Sequence, residues 1–121
     1  MNLAVIGSGG REHAICYKLK QSPKIKRLFC IPGNAGTQKI AENIKEDISD
    51  FDALYQIIKR QNIDIVIVGP EQPLVDGLAD YLNKKKVILF FLHKFFINAL
   101  EPSSCAANLS GPNTLTFFLF K

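Results

Sequence analysis

Short apolar runs alternate with amphipathic stretches along most of the chain. Four short segments built on continuous apolar runs predict buried strands, at 3–6, 27–31, 64–68 and 87–91. A shorter edge strand is expected at 42–45. Helices are predicted over 11–21, over 51–60 and around 74–82, with one further turn at 37–41. This alternation is typical of an α/β fold, with a parallel sheet and helices on both faces.

Individual residues refine these elements. The first helix draws its apolar face from Ala14, Ile15 and Leu19. Asp50 is a plausible N-cap of the second helix. Asp76 is placed to cap or begin the last helix, whose apolar face would include Leu78.

Three loops rich in Gly and Pro, at 7–13, 32–37 and 69–77, follow predicted strands. In parallel sheets ligands bind beyond the carboxyl ends of the strands, near the point where strand order reverses. Composition and topology therefore indicate one sheet edge as the candidate site.

The first of these loops has the chemistry of an anion site. It runs Gly7-Ser8-Gly9-Gly10, and a helix follows at once. Backbone amides and the positive end of a helix favour an anion, and Arg11 adds a forked donor. We therefore expect a phosphorylated small molecule near residues 7–13.

Other interpretations of this loop stay open. The glycines also suit a tight turn without a ligand, and Arg11 could pair with Glu12 or with solvent. Glu12 is a possible helix cap, and His13 is more typical of a packed histidine than of a catalyst. Glu12 stands where a dinucleotide fingerprint has its third glycine, which disfavours NAD or FAD.

Composition excludes several classes of function. Residues 1–83 contain 10 basic and 10 acidic residues, so the net charge of +4 arises entirely in residues 84–121, and we expect no nucleic-acid binding. No run approaches about 18 apolar residues, so we expect no membrane span. Cys16 and Cys30 lie in segments predicted to be buried, which favours a reducing, cytoplasmic location.

The sequence changes character near its C-terminus. Seven of the nine Phe lie in residues 90–121, which contain one Glu and no Asp. We expect residues 1–85 to form one domain and residues 86–121 to form an irregular, atypical tail. A shifted reading frame at the A-rich codons of residues 84–86, or a mispredicted gene end, is the hypothesis for this tail.

Three linked motifs stand at the ends of predicted strands: GSGGREHA at 7–14, PGNAGT at 32–37 and VGPEQPLVDG at 68–77. Together they resemble the N-terminal region of the glycinamide ribonucleotide synthetase (phosphoribosylamine–glycine ligase) family. The resemblance runs from Met1 to about Lys85. It implies a Rossmann-like, pre-ATP-grasp domain in an enzyme that joins 5-phosphoribosylamine and glycine in de novo purine synthesis.

By this resemblance the glycine turn and the end of the 64–68 strand would face phosphoribosylamine or glycinamide ribonucleotide. The expected substrate-binding residues are Gly9, Gly10, Arg11, Glu12, Asn34, Gly69, Pro70 and Glu71. No catalytic or metal-binding residue is expected. ATP and Mg²⁺ or Mn²⁺ are implied for the intact enzyme, but the chain lacks the ATP-grasp pattern that would bind them.

We therefore expect a substrate-binding part that is inactive alone, with a second polypeptide as one possible source of the missing region. The alternatives are a stand-alone phosphate- or nucleotide-binding module and a small NAD-linked oxidoreductase.

Overall fold

The computed structural model describes residues 1–91, apart from the side chains of Leu74 and Phe91. The elements in chain order are β1 (Asn2–Gly7), α1 (Gly10–Lys20), β2 (Arg27–Pro32), a 3₁₀ turn (Thr37–Lys39), β3 (Glu42–Asn43), α2 (Phe51–Arg60), β4 (Ile65–Val68), α3 (Gln72–Val75), α4 (Leu78–Lys84) and β5 (Ile88–Phe91). The prediction of an irregular tail over 86–121 falls largely on residues 92–121, outside the described residues.

The five strands form one parallel sheet in the order β3-β2-β1-β4-β5. Strand β1 is central and pairs with β2 over its whole length, so that Gly7 lies opposite Pro32. On its other side Ile6 lies opposite Val68. The order reverses between β1 and β4, and the loops that leave these two strands therefore border a topological switch point.

Side chains alternate between two core clusters, one on each face of the sheet. Along β1, Ala4 and Ile6 join the cluster that contains the apolar face of α2. Leu3 and Val5 join the cluster that contains Cys16 and Leu19 of α1. The alternation follows from the two-residue period of a strand, and it confirms the expected covering of both faces.

Helix α2 has the clearest sequence signal and matches its prediction. Its buried residues Leu54, Ile57 and Ile58 recur at helical spacing. The Asp50 side chain accepts a hydrogen bond from the Ala53 amide at 3.0 Å, which confirms the predicted N-cap.

The structure corrects the prediction for helix α1. Ala14, expected on the apolar face, is exposed, and Glu12 is buried together with Cys16 and Leu19. These three residues repeat at i, i+4 and i+7, which places them in one stripe. A carboxylate inside that stripe hides the pattern, because apolar periodicity counts Glu12 as a surface residue.

The last predicted helix is two helices. Helix α3 ends at Val75 and α4 begins at Leu78, with Gly77 between them at φ +97°. That left-handed conformation is unfavourable for other residues, and it interrupts the helical path. Asp76 does not cap α4; its carboxylate accepts a hydrogen bond from Gln72 Nε2 at 3.0 Å. Within residues 1–91, no helix is long and apolar enough to cross a membrane.

Candidate functional site

Groups at the end of β2 hydrogen-bond to the start of the turn between β1 and α1. Gly7 ends β1 at φ +135°, a conformation that favours glycine. Its carbonyl oxygen accepts a hydrogen bond from the Gly33 amide at 3.1 Å and one from the Cys30 thiol at 3.5 Å. The first and second glycine loops are therefore joined where their strands end.

Glu12 points inward from the first turn of α1. Its side chain is buried, with 4% of the residue exposed. Carboxylate oxygen Oε2 accepts a hydrogen bond from the Gly9 amide at 2.7 Å. This is one half of a capping box, the half in which an acidic side chain three residues into the helix satisfies an orphan amide.

Glycines surround the Glu12 side chain. A Cβ atom at Gly7 would lie 2.6 Å from Glu12 Cγ. A Cβ atom at Gly69 would lie 2.0 Å from Glu12 Oε1. Both approaches are too close for real atoms, so the glycines at the ends of β1 and β4 make room for this carboxylate. Glu12 therefore fills the crevice at the switch point.

Asn34 connects the second loop to the first through the nitrogen of its carboxamide, while the carboxamide oxygen is held within the second loop. Nδ2 donates to the Ser8 carbonyl at 2.8 Å and to the Gly9 carbonyl at 3.3 Å. Oδ1 accepts from the Thr37 amide at 2.9 Å. The side chain is thus used within the protein, where it holds the glycine turn in place.

A partly buried polar network lies behind Asn34, and the sequence pattern does not predict it. The Thr37 side chain is fully buried, and its hydroxyl donates to Asn43 Oδ1 at 2.8 Å. Asn43 Nδ2 donates in turn to the Asn34 carbonyl at 2.7 Å. The one available signal is Asn43, a polar amide residue inside the predicted edge strand at 42–45. Nothing in the sequence indicates that its side chain contacts the 32–37 loop.

His13 packs beside the same loop. A Cβ atom at Gly36 would lie 2.8 Å from Cε1 of the His13 ring. The half-buried imidazole therefore lies directly over Gly36, in agreement with the packed histidine preferred from sequence.

The remaining expected site residues border this edge. Gly10, Arg11 and Glu71 are exposed, and Pro70 is half-buried. A Cβ atom at Gly10 would meet nothing within 4 Å. Among residues 1–91 no hydrogen bond is found from the amides of Gly10 and Arg11 or from the Arg11 side chain.

The loops therefore divide into an inner and an outer layer. Glu12, Asn34 and buried Gly69 belong to the inner layer, where they hold the loops together. Gly10 and Arg11 form the outer layer, which has two helix-start amides and one guanidinium. Such an arrangement can bind a phosphate or carboxylate group, because each of these donors favours negative charge.

Two buried thiols lie beneath the turn, and that of Cys16 is not a reactive group. Cys16 and Cys30 are free and fully buried. The hydrogen bond with Cys30, followed by burial, raises the pKa of the Cys16 thiol far above its usual value. Cys16 consequently stays protonated at neutral pH and behaves as a small apolar side chain. In the described part of the chain, no group of three or more His, Cys, Asp or Glu residues could hold a metal ion.

Comparison with known proteins gives a family match. Residues 1–95 match the family described as phosphoribosylglycinamide synthetase, N domain. The match includes all three glycine-containing loops and extends ten residues past Lys85.

Individual relatives agree with the family match. The chain is 44% identical to a phosphoribosylamine–glycine ligase of Rhodopirellula baltica over 110 residues, 91% of this chain and 23% of that protein. It is 44% identical to one from Nostoc over 92 residues, 74% of this chain and 22% of that protein. A bifunctional purine biosynthetic protein of Pichia angusta is 39% identical over 121 residues, 96% of this chain and 14% of that protein. The chain spans less than a quarter of each relative.

Proposed function

The chain belongs to the family of phosphoribosylglycinamide synthetase N domains, and we propose that it is the N-terminal, substrate-binding part of a phosphoribosylamine–glycine ligase. The intact enzyme would use ATP, with Mg²⁺ or Mn²⁺, to join glycine to 5-phosphoribosylamine and form glycinamide ribonucleotide. In that reaction the glycine carboxylate would take the γ-phosphoryl group of ATP, with release of ADP, and the amine would then attack the acyl phosphate and displace inorganic phosphate. This part of the chain would hold the phosphoribosyl group.

The observation that carries the proposal is the convergence of the three motifs at one sheet edge. Asn34 of the second loop contacts Ser8 of the first. Glu12, from the first motif, fits against Gly69 of the third. Motifs that lie far apart in sequence thus build one surface at the switch point, where α/β proteins bind their ligands.

Within this surface we assign the phosphate to the outer layer. The amides of Gly10 and Arg11 and the Arg11 guanidinium would receive the phosphate oxygens. Pro70 and Glu71, at the end of β4, would border the sugar. These residues position the substrate and perform no proton transfer, so their contribution to the reaction is proximity.

The other requirements of the ligase are assigned outside residues 1–91. No metal-binding group is found among these residues, and we assign no ATP-binding residue to them. We propose that the chain is inactive alone and needs the ATP-grasp region, supplied in the same or a second polypeptide. A cytoplasmic location fits the buried free thiols of Cys16 and Cys30.

Ligand titration of the 121-residue chain tests this assignment. Ribose 5-phosphate should shift the amide resonances of Gly10 and Arg11, whereas AMP, ATP and NAD should not. The Gly10→Ala variant tests the site directly. Its Cβ enters open space in the protein, so the fold should be unaffected, but the same Cβ would obstruct a bound phosphate. The variant should fold as the wild type does and bind ribose 5-phosphate less tightly.

The same titration decides between the alternatives. Binding of adenine nucleotides in place of ribose 5-phosphate would favour a stand-alone nucleotide-binding module, and binding of NAD would favour an oxidoreductase. Activity is tested separately by mixing the chain with phosphoribosylamine, glycine, ATP and Mg²⁺. Formation of glycinamide ribonucleotide by this chain alone would contradict the proposed inactivity.

A further inference from the structure

A buried carboxylate occupies the crevice in which the fold would otherwise receive a ligand. Glu12 belongs to the motif expected to contact substrate, but only 4% of its surface is exposed. Its Oε2 atom holds the Gly9 amide at 2.7 Å. An acidic group in this position needs an explanation, because buried carboxylates are rare unless they are hydrogen-bonded for a structural or functional reason.

Glycines of two loops lie so close to the Glu12 side chain that a larger residue would collide with it. Cβ atoms at Gly7, Gly9 and Gly69 would lie 2.6, 2.8 and 2.0 Å from atoms of Glu12. Gly10, in contrast, has no such neighbour within 4 Å. Three of the glycines therefore accommodate a protein carboxylate, whereas Gly10, at the start of α1, leaves open space.

The charge of Glu12 also affects where a ligand anion can bind. Its carboxylate already satisfies the Gly9 amide and places a negative charge beside the positive end of α1. A ligand anion at Gly9 would have to displace this carboxylate and would be repelled by it. The next amides, at Gly10 and Arg11, are free of such competition among the described residues.

We propose that Glu12 is a positioning residue: by accepting the hydrogen bond from the Gly9 amide, its side chain holds the glycine turn against the end of β4 and leaves the amides of Gly10 and Arg11 to receive the ligand phosphate. The inference deepens the proposed function and rests on it for the identity of the ligand. Glu12 does not contact the substrate in this assignment. It acts through the turn that does.

Three substitutions of Glu12 separate its roles. Glu12→Gln keeps an acceptor for the Gly9 amide and removes the charge, whereas Glu12→Ala removes both. Glu12→Asp keeps the charge but is one methylene shorter. We expect Glu12→Ala and Glu12→Asp to weaken ribose 5-phosphate binding about tenfold or more, and Glu12→Gln to bind within about threefold of the wild type.

A double-mutant cycle tests the contact with β4. Gly69→Ala should weaken binding as Glu12→Ala does, because its Cβ would lie 2.0 Å from Oε1 and force the carboxylate out. In the Glu12→Ala background the same substitution should change affinity by less than about twofold. Equal losses in both backgrounds would overturn the proposed contact.

Structural damage is distinguished from positioning by comparing affinity with stability. Affinities are measured at a temperature where thermal unfolding shows every variant to be folded. Rescue of binding by Glu12→Gln, in contrast to a folded Glu12→Asp, supports positioning through the hydrogen bond. Loss of binding in Glu12→Gln as complete as in Glu12→Asp would overturn it.

A ligand-free measurement separates this inference from the proposed function. The Gly9 amide should be protected from hydrogen exchange in the wild type and in Glu12→Gln, and lose protection in Glu12→Asp and Glu12→Ala, with shifted Gly10 and Arg11 resonances. Unchanged exchange and resonances in Glu12→Ala would overturn the inference. If the wild type fails to bind ribose 5-phosphate while these changes occur, the proposed function fails and the positioning of the turn stands.

Discussion

Glycines at the candidate site have different neighbours, and this difference decides what each of them can do. Gly7 and Gly69 lie against Glu12, while Gly10 faces open space. The sequence predicted a glycine turn for an anion, and the turn is present. It could not show that Glu12 points inward, because the space for that side chain depends on Gly69, which the sheet brings close only after folding. Both Glu12 and Asn34 use their side chains to join loops. The substrate contact expected of Asn34 stays a prediction, whereas for Glu12 we propose positioning of the turn instead.

Asn34 offers a test of loop attachment at a single residue. Asn34→Ala removes hydrogen bonds to the Ser8 carbonyl and from the Thr37 amide, so we expect it to lower the free energy of unfolding by about 1–3 kcal/mol. Gln38→Ala is the matched control, because Gln38 is exposed in the 3₁₀ turn that follows the same loop; it should change stability by less than about 0.5 kcal/mol. Urea unfolding measures both, and equal effects would contradict the attachment.

Elements with one strong local signal could be predicted closely, whereas elements that depend on a special backbone conformation could not. Helix α2 has both an N-cap and an apolar stripe, and its predicted bounds agree with the structure. The predicted helix around 74–82 has an apolar pattern that continues across Gly77, but the chain turns there at φ +97°. Periodicity alone does not record that interruption, because glycine occurs in both conformations.

The N-cap of α2 allows a direct measurement at the scale of one element. Asp50→Ala leaves the Ala53 amide without its side-chain acceptor, and we expect a loss of about 1 kcal/mol in the free energy of unfolding. Asp50→Ser restores an acceptor and should recover most of that loss. Urea unfolding of the two variants compares them. A serine variant as unstable as the alanine variant would show that the cap is not the cause.

A hydrogen bond between a tyrosine and a carboxylate links helices α2 and α4, and the tyrosine can lose its proton at high pH. The Tyr81 hydroxyl donates to the Asp52 carboxylate, and this contact raises the pKa of Tyr81 to about 12 from 10.0. Because the folded pKa is higher than the unfolded one, the stabilisation is complete below pH 10 and is lost as the pH rises through about 12.

Absorbance of tyrosinate at 295 nm measures this titration. The difference between wild type and Tyr81→Phe should show one tyrosine with a midpoint near 12. Asp52→Asn removes the carboxylate charge and should lower that midpoint towards the ordinary value. A midpoint near 10 in the wild type would contradict the linkage between the two helices.

The order of the strands in the sheet explains why the position of the site could be predicted from sequence. The side-chain contacts within the site could not be predicted. Alternating strands and helices predicted the parallel sheet, and parallel strands place their carboxyl ends at one edge. The loops at 7–13, 32–37 and 69–77 meet there, as expected. Their mutual contacts through Asn34 and Glu12 depend on side-chain directions, and no periodicity in the sequence specifies those directions.

The two faces of the sheet should contribute to stability independently. Ile57 belongs to the core cluster that α2 covers, and Ile67 belongs to the cluster that α1 covers. The sheet separates them, so side-chain repacking on one face leaves the other face unchanged. We expect Ile57→Val and Ile67→Val each to cost about 0.5–1.5 kcal/mol.

In the double variant these losses should add to within about 0.5 kcal/mol in urea unfolding. The comparison pair is Ile57→Val with Ile31→Val, because both residues lie in the same cluster and share surroundings that can relax together. A coupling larger for the pair on opposite faces than for the pair on one face would contradict the two-sided core. The sheet would then transmit packing changes between its faces, and substitutions under α2 would also disturb α1, whose first turn carries Gly10 and Arg11.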